Sequence, residues 1–280
     1  MSRDNSSRVS APNLDLQPPK KQNDSFNFTL PTTFVELPSK GKYYSEDHPL
    51  HGVESVEIKY MTAKEEDILS SISLLQKGVA VDRMLQSLLV NKALVPSDML
   101  IGDKNALMVA ARITGFGEEY LANVTCPACS TRSEYAFNLS KTKNVSIDDL
   151  DIPEVEQTEQ NTFVFELPVS KVRTEVRLLD GKDEQYLTRL NNSKKDNNLP
   201  ETPLTDRLKI IIASINGSTI RGDIEKFVDQ MPVLDSRYLR GMYSKVVPNI
   251  DLTQEFTCTN CNHRAPMEVP LTVDFFWPRL

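Results

Sequence analysis

Four cysteines form two C-x-x-C pairs, and they are the residues of this sequence best suited to metal chemistry. The first pair is Cys126 and Cys129, the second is Cys258 and Cys261, and no cysteine is left over. A C-x-x-C pair on a tight turn directs two sulfurs to one point, so two such turns complete the tetrahedral thiolate shell of a zinc ion. The pattern predicts one structural Zn²⁺ per chain, with no coordination position open for a substrate.

The segments that contain the two pairs are similar to each other. VTCPACSTRSEYAFNL, beginning at Val124, aligns without a gap with FTCTNCNHRAPMEVPL, beginning at Phe256, at an offset of 132 residues. Alternating polar and apolar residues after the first pair are typical of a β-strand. Each pair is therefore predicted to open a β-hairpin, here called a knuckle. Together the knuckles form a zinc ribbon that joins the two halves of the chain.

Other chemistries fit the same cysteines. Four thiolates also hold a rubredoxin-type iron or an iron–sulfur cluster, although no other pattern here indicates redox partners. His263, two residues after Cys261, is an alternative ligand, although four thiolates already complete a shell. A thioredoxin-type dithiol needs only one pair.

The composition indicates a globular protein in an aqueous compartment. The chain has 280 residues, of which 39% are hydrophobic and 25% charged, and no apolar run reaches the roughly 18 residues that span a bilayer. Its N-terminal sequence, MSRDNSSRVSAPNLDLQPPKKQNDS, lacks the apolar core and cleavage pattern of a secretory signal. We therefore expect a cytosolic protein without membrane partners, in which cellular reductants keep the thiols reduced.

Charge and motifs argue against two further classes of function. The formal net charge is −7 and the pI about 5.2, whereas nucleic-acid binding needs a basic surface. The chain contains no P-loop, dinucleotide-binding, nucleophile-elbow or H-E-x-x-H motif. His48 and His51 lie in the loop EDHPLHG and are interpreted as turn residues. The sequence therefore predicts no catalytic residues, no small-molecule substrate and no nucleic-acid partner.

The patterning predicts an α+β fold, with helical regions and β-hairpins joined by the four-cysteine zinc ribbon. Thr62 and Glu65 form a capping box for a helix that continues through Leu75, and Asp103 is expected to cap another helix. Further helices are expected over residues 183–190 and 204–215. The predicted regions are a flexible N-terminal arm (1–27), an extended segment with an N-terminal helical region (28–118), the first knuckle hairpin (119–145), an inserted α+β region (146–250), and the second knuckle hairpin with a C-terminal tail (251–280).

Several longer segments resemble a known family. VELPSKGKYY, EIKYMTAKEEDIL, GDKNALMVAARITGFGEEY, DSRYLRGMYSKVVPNIDL and the ending VDFFWP occur in this order, with a cysteine pair after each half. In these segments the chain resembles the baseplate hub proteins of T4-type bacteriophages, which build contractile tails. The resemblance implies a hub component or hub assembly factor whose partners are other hub and tail proteins. It also implies a location in the host cytoplasm during assembly and in the virion tail baseplate.

A different class remains as an alternative, since zinc ribbons also occur in proteins that bind or regulate nucleic acids. Basic residues near the knuckles include Arg132, Lys141, Lys143, Arg264 and Arg279, and an acidic stretch that begins at Asp148 offsets them. At the end of the chain, Phe275, Phe276 and Trp277 are expected to pack into the core beside the ribbon.

Overall fold

The computed structural model describes residues 29–146, 152–271 and 275–277, and it confirms an α+β fold. The chain divides into Met1–Leu30 and Pro31–Leu280, and every element described below belongs to the second unit. The predicted flexible arm over residues 1–27 lies outside the described residues. No described helix combines the length and the apolar character needed to cross a bilayer.

Eight α-helices alternate with short antiparallel strands in the described residues. The first half contains β1 (Thr32–Glu36), β2 (Ser55–Lys59), α1 (Ala63–Ser70), α2 (Ile72–Gln76), α3 (Ala80–Leu88), α4 (Ile101–Phe116), β3 (Glu119–Thr125), β4 (Arg132–Asn138) and β5 (Lys143–Val145). The second half contains β6 (Glu156–Gln157), β7 (Phe163–Glu166), β8 (Arg173–Val176), α5 (Gly181–Asp196), α6 (Pro203–Ile211), β9 (Ile212–Ile215), α7 (Arg221–Gln230), α8 (Val233–Val246), β10 (Asn249–Asp251), β11 (Thr253–Thr257) and β12 (Arg264–Glu268).

Each knuckle is a hairpin, β3 with β4 and β11 with β12, as predicted. Two other sheets complete the scaffold around them: β1 pairs with β2, and β6 to β9 form a four-stranded sheet in sequence order. The two halves of the chain also share a small sheet, in which β5 pairs antiparallel with β10. The backbone therefore links the halves close to the base of both knuckles.

The predicted first helix begins as expected and ends earlier than expected. Thr62 is its N-cap, and both hydrogen bonds of the capping box with Glu65 are present. The prediction that this helix continues through Leu75 is wrong, because Ser71 is extended (φ −70°, ψ 107°) and separates α1 from α2. Ile72 is 72% exposed, so the apolar spacing there does not mark a buried face.

Two helix boundaries in the second half also differ from prediction. α5 extends to Asp196, beyond the predicted end at residue 190, and Lys194 in its last turn forms a 2.5 Å ion pair with Asp206 of α6. The predicted helix over 204–215 ends at Ile211, after which residues 212–215 form β9 and pair with β8. β-branched isoleucines favour this strand once a neighbouring strand supplies hydrogen bonds.

The two halves share several elements in the same order. A hairpin (β1–β2 or β7–β8) is followed by a helix that opens with a capping box (α1 or α5), then by a second helix (α3 or α6), a long helix (α4 or α8) and a knuckle. We call residues 32–138 the first repeat and residues 163–268 the second repeat. The similarity between the two knuckles therefore extends to other elements of each half, although α2, β9 and α7 have no counterpart in this order.

A buried aspartate in each repeat fastens the first hairpin to the long helix. Asp103 in α4 is fully buried and accepts hydrogen bonds from Ser39 N (2.9 Å), Ser39 Oγ (2.5 Å) and Tyr44 Oη (2.7 Å). Asp235, 132 residues later in α8, is also fully buried and accepts from Val169 N (2.8 Å) and from the next backbone N–H (2.9 Å).

Asp103 is therefore not the N-cap that the sequence predicted. It is the third residue of α4, and the cap position belongs to Leu100, whose side chain makes no capping bond. Burial raises the pKa of the Asp103 carboxyl, against the opposing effect of the hydrogen bonds from Ser39 and Tyr44. The carboxylate lies in the first turn of α4, where the helix dipole favours negative charge.

The repeats contact each other along α4. Lys104 forms ion pairs with Asp82 of the first repeat at 2.7 Å and with Glu184 of the second repeat at 2.8 Å. Gly102 packs directly against the backbone of Pro248, which leaves no room for a Cβ atom. The interface is therefore built around a glycine that a larger residue cannot replace.

The helix glycines provide a matched test of this interface. We expect Gly102→Ala to destabilise the protein by about 2 kcal/mol, because the new methyl group must push the Pro248 backbone away. Gly241→Ala in α8, where no atom lies within 4 Å of the new Cβ, should instead stabilise the protein by about 0.5–1 kcal/mol through helix propensity. Urea denaturation of both variants measures the difference. Equal effects would show that the repeats do not meet at this glycine.

The aromatic residues at the end of the chain pack into the core, as predicted. Phe275 and Phe276 are 1% and 4% exposed, and the Phe275 ring meets Tyr120 of β3 edge to face with a centroid separation of 5.2 Å. Tyr120 Oη donates a 3.0 Å hydrogen bond to Pro270 O, beyond the second knuckle. The end of the chain therefore helps to fix the first knuckle.

Candidate metal centre

The two knuckles have the same backbone geometry. In the first, Cys126 N donates to Thr131 O and Ser130 N donates to Cys126 O, both at 2.9 Å, and the second knuckle makes the same bonds 132 residues later at 2.9 and 3.0 Å. Ser130 and its counterpart Asn262 both have positive φ, 56° and 55°. These tight turns place the two cysteines of each pair on the same side of the hairpin tip.

The four predicted cysteines converge on one point. Their sulfurs all lie within 4.8 Å of one another, with Cys126 to Cys261 and Cys129 to Cys258 both 3.7 Å apart. A tetrahedron with zinc–sulfur bonds of about 2.3 Å has edges of about 3.8 Å, whereas a disulfide bond is only about 2.05 Å long. The cysteines are free thiols whose spacing can hold a tetrahedral metal ion, and the alternative ligand His263 is not part of the group.

Polar neighbours around the sulfurs differ between the two sides of the site. Asn260 in the second knuckle donates to Thr131 Oγ1 at 3.0 Å and lies 3.7 Å from Cys129 Sγ in the first knuckle. Thr131 Oγ1 is itself 3.3 Å from Cys129 Sγ. The position equivalent to Asn260 in the first knuckle is Ala128, which has no side-chain donor. Sequence comparison shows this difference but not the contact between the knuckles.

These contacts separate the acidities of the thiols. Hydrogen bonds with the side chain and backbone of Thr131 lower the pKa of Cys129 to about 5. The backbone N–H of His263 favours the Cys261 thiolate, but the three neighbouring sulfurs outweigh it and raise the pKa of Cys261 to about 12. Thiolates this close repel one another, and a bound cation removes the conflict because it stabilises all of them at once.

The knuckles also pack against each other beneath the cysteines. Asn138 N donates to Gln254 Oε1 at 3.1 Å, and Gln254 Nε2 donates back to Asn138 O at 2.7 Å. Tyr135 meets Phe137 and Phe256 edge to face, each at a centroid distance of 5.0 Å. Cys126 and Cys258 are buried, Cys129 is half-buried and Cys261 is exposed. The site is therefore a junction between two packed hairpins.

The histidines proposed as turn residues have structural contacts. The His48 ring stacks on Tyr44 at 4.4 Å, and its Nδ1 accepts a 3.1 Å hydrogen bond from Leu50 N. His51 Nδ1 lies 2.8 Å from Tyr44 O. Burial lowers the pKa of His48. Among the described residues, the four cysteines form the group placed to hold a metal ion, and neither histidine belongs to it.

Comparison with known proteins adds one match. A family model described as T4 bacteriophage base plate protein matches residues 30–277. No curated protein and no solved structure matches the chain. The matched region includes both repeats and both cysteine pairs.

Proposed function

Because the chain belongs to the T4 bacteriophage base plate protein family, we propose that it is a component or an assembly factor of the baseplate hub. In this role it acts by binding other hub and tail proteins, in the host cytoplasm during assembly and in the baseplate of the contractile tail. The match over residues 30–277 carries the proposal. It is supported by the arrangement of the cysteines, which lie at a junction between the two packed hairpins.

We also propose that the metal is one structural Zn²⁺ per chain, bound by Cys126, Cys129, Cys258 and Cys261. Zinc suits a shell of four thiolates with tetrahedral spacing, and such closed sites stabilise structure instead of activating water. The ion would join the two repeats through their knuckles. The protein would accordingly act as a binding protein and not as an enzyme.

Asn260 provides a test of how the chain supports this ion. Replacing it with alanine removes the donor to Cys129 Sγ and Thr131 Oγ1. We expect zinc affinity to fall about 10- to 100-fold, the usual cost of losing a hydrogen bond to a metal ligand. Competition with a chromogenic chelator measures the affinity. Asn262→Gly, in the same knuckle but at a position with positive φ, is the control and should keep nearly wild-type affinity.

Genetic complementation tests the role in the hub. A phage that lacks this protein should produce incomplete baseplates and no infectious tails, and the full chain supplied from a plasmid should restore them. Electron microscopy of the lysates and mass spectrometry of purified tails provide the readout. Complete, infectious tails in the absence of the protein would contradict the proposal.

The nucleic-acid alternative has one structural feature in its favour. Lys141, Lys143 and Arg264 line a cleft of about 640 Å³ between the two knuckle hairpins, but Asp251 and Glu255 line the same cleft. We expect weak binding to DNA that disappears near physiological salt, since phosphate contacts need an excess of positive charge. Sequence-selective gel shifts at nanomolar protein would favour the alternative over the hub role.

A further inference from the structure

A groove between α6 and α8 has an apolar surface and two arginines. Its volume is about 540 Å³. Leu204, Leu208, Ile211 and Val247 supply apolar side chains. Leu204 is 43% exposed, whereas Leu208 and Ile211 are each 2% exposed and form the floor of the groove. We call this feature the α6–α8 groove. An exposed apolar groove beside two helices has the form of a surface that receives a third helix.

The charge of the α6–α8 groove is positive and uncompensated. Arg207 and Arg240 line it and are exposed, and none of the described residues around it is acidic. Neither arginine forms an ion pair within the described parts of the chain, whereas Lys194 and Lys209 of the same region are paired with Asp206 and Asp229. A ligand that complements this groove must be both apolar and acidic.

The first repeat shows which kind of element packs against the long helix at the corresponding position. On α4, Lys104 pairs with Glu184 of α5, and Met108, one turn later, lines a cleft together with Glu184 and Thr188. The residue of α8 that is 132 positions after Met108 is Arg240. In the first repeat, this part of the long helix faces another helix that presents a carboxylate to a basic residue. In the second repeat the corresponding residue, Arg240, lines the α6–α8 groove, and none of the described residues that line this groove supplies a carboxylate.

We propose that the α6–α8 groove binds an amphipathic helix of another baseplate protein. Carboxylates on that helix pair with Arg207 and Arg240, and its apolar face covers Leu204 and Val247. This inference rests on the proposed hub function and adds to it the surface used and the chemistry of the partner. A second copy of this chain is the competing occupant, and it gives a different pattern of revertants.

Charge reversal in the full chain tests the proposal. The variant R207E/R240E changes two exposed groove residues, and R83E/R237E is the matched control. It reverses two exposed arginines outside the groove, Arg83 in α3 and Arg237 in α8. All three proteins should have the same melting temperature and zinc content, because exposed charges away from ion pairs contribute little to stability.

In complementation, we expect R207E/R240E to reduce the yield of infectious phage by about 100-fold or more and the control to stay within about threefold of wild type. Revertants of R207E/R240E should change Asp or Glu to Lys or Arg in a helix of another baseplate protein. Normal yield from R207E/R240E overturns the proposal while leaving the hub function intact. Revertants that map only to this chain assign the groove to a second copy and also overturn it.

A direct binding measurement separates the groove from the hub role. The probes are two synthetic amphipathic helices that share a leucine face, one edged with glutamate and the other with lysine, titrated into the zinc-loaded full chain. Wild type should bind the glutamate peptide at least about tenfold more tightly, and R207E/R240E should reverse that preference. Equal binding or no binding overturns the groove assignment, whatever complementation shows about the baseplate.

Discussion

Cys258→Ser should abolish stoichiometric metal binding and loosen the contact between the two knuckles, while the helices remain folded. The serine hydroxyl is a poor substitute for a thiolate, and three ligands cannot close the tetrahedral shell. The ion is coupled to the folding of the ribbon, whereas α3, α4 and α8 have buried apolar residues of their own. We therefore expect a metal-to-protein ratio that falls from about one to near zero.

Metal analysis and limited proteolysis measure the two parts of this prediction, and far-UV circular dichroism reports the helices. Thr259→Ser is the control, because Thr259 is exposed in the same knuckle and is not a ligand. A full complement of metal in Cys258→Ser, or iron in place of zinc, would contradict the site. Loss of most helical signal would show that the helical core depends on the ribbon.

Asp103→Ala should destabilise the protein by about 4 kcal/mol. The substitution leaves Ser39 and Tyr44 without the carboxylate that accepts their buried hydrogen bonds, and bonds to a charged acceptor contribute about 1.5–3 kcal/mol each. For a chain of this size the melting temperature should fall by about 8–16 °C. Thermal and urea unfolding provide the measurement. The equivalent Asp235→Ala, which frees two backbone N–H groups, should behave in the same way.

Asp223→Ala is the matched control for these variants. Asp223 is also the third residue of a helix, α7, but it is exposed, so its loss should cost less than about 1 kcal/mol. If Asp103→Ala lowered the free energy of unfolding no more than this control does, the buried hydrogen bonds of Asp103 would not stabilise the fold. The comparison separates the effect of buried hydrogen bonds from that of a charge at a helix start.

The sequence predicts best where local chemistry decides the structure. The capping box at Thr62 depends on a residue three positions later and appears as predicted. The buried face of α3, with Met84, Leu85 and Leu88, follows the same short apolar spacing. The two knuckles are similarly local, since each turn is closed by bonds within a few residues. The α+β class and the convergence of the four cysteines followed from these patterns.

Long-range contacts account for what the sequence did not show. Asp103 looked like a helix cap because its partner Ser39 is 64 residues away, and no local pattern records that distance. The repeat outside the knuckles was also missed, since the counterpart bonds of Asp235 go to Val169 N and Ser170 N instead of a serine side chain. Residues 212–215 form a strand only because β8 is beside them.

The separation of the two knuckles sets the timing of metal capture during synthesis. Cys126 and Cys258 are 132 residues apart, and a ribosome that adds roughly 5–20 residues per second takes about 7–26 seconds to cover that distance. Throughout this interval the nascent chain offers only the thiols of Cys126 and Cys129. The first knuckle must wait for the second repeat before the shell closes. Competition for these two thiols from oxidants and other metals is therefore concentrated in this window of translation.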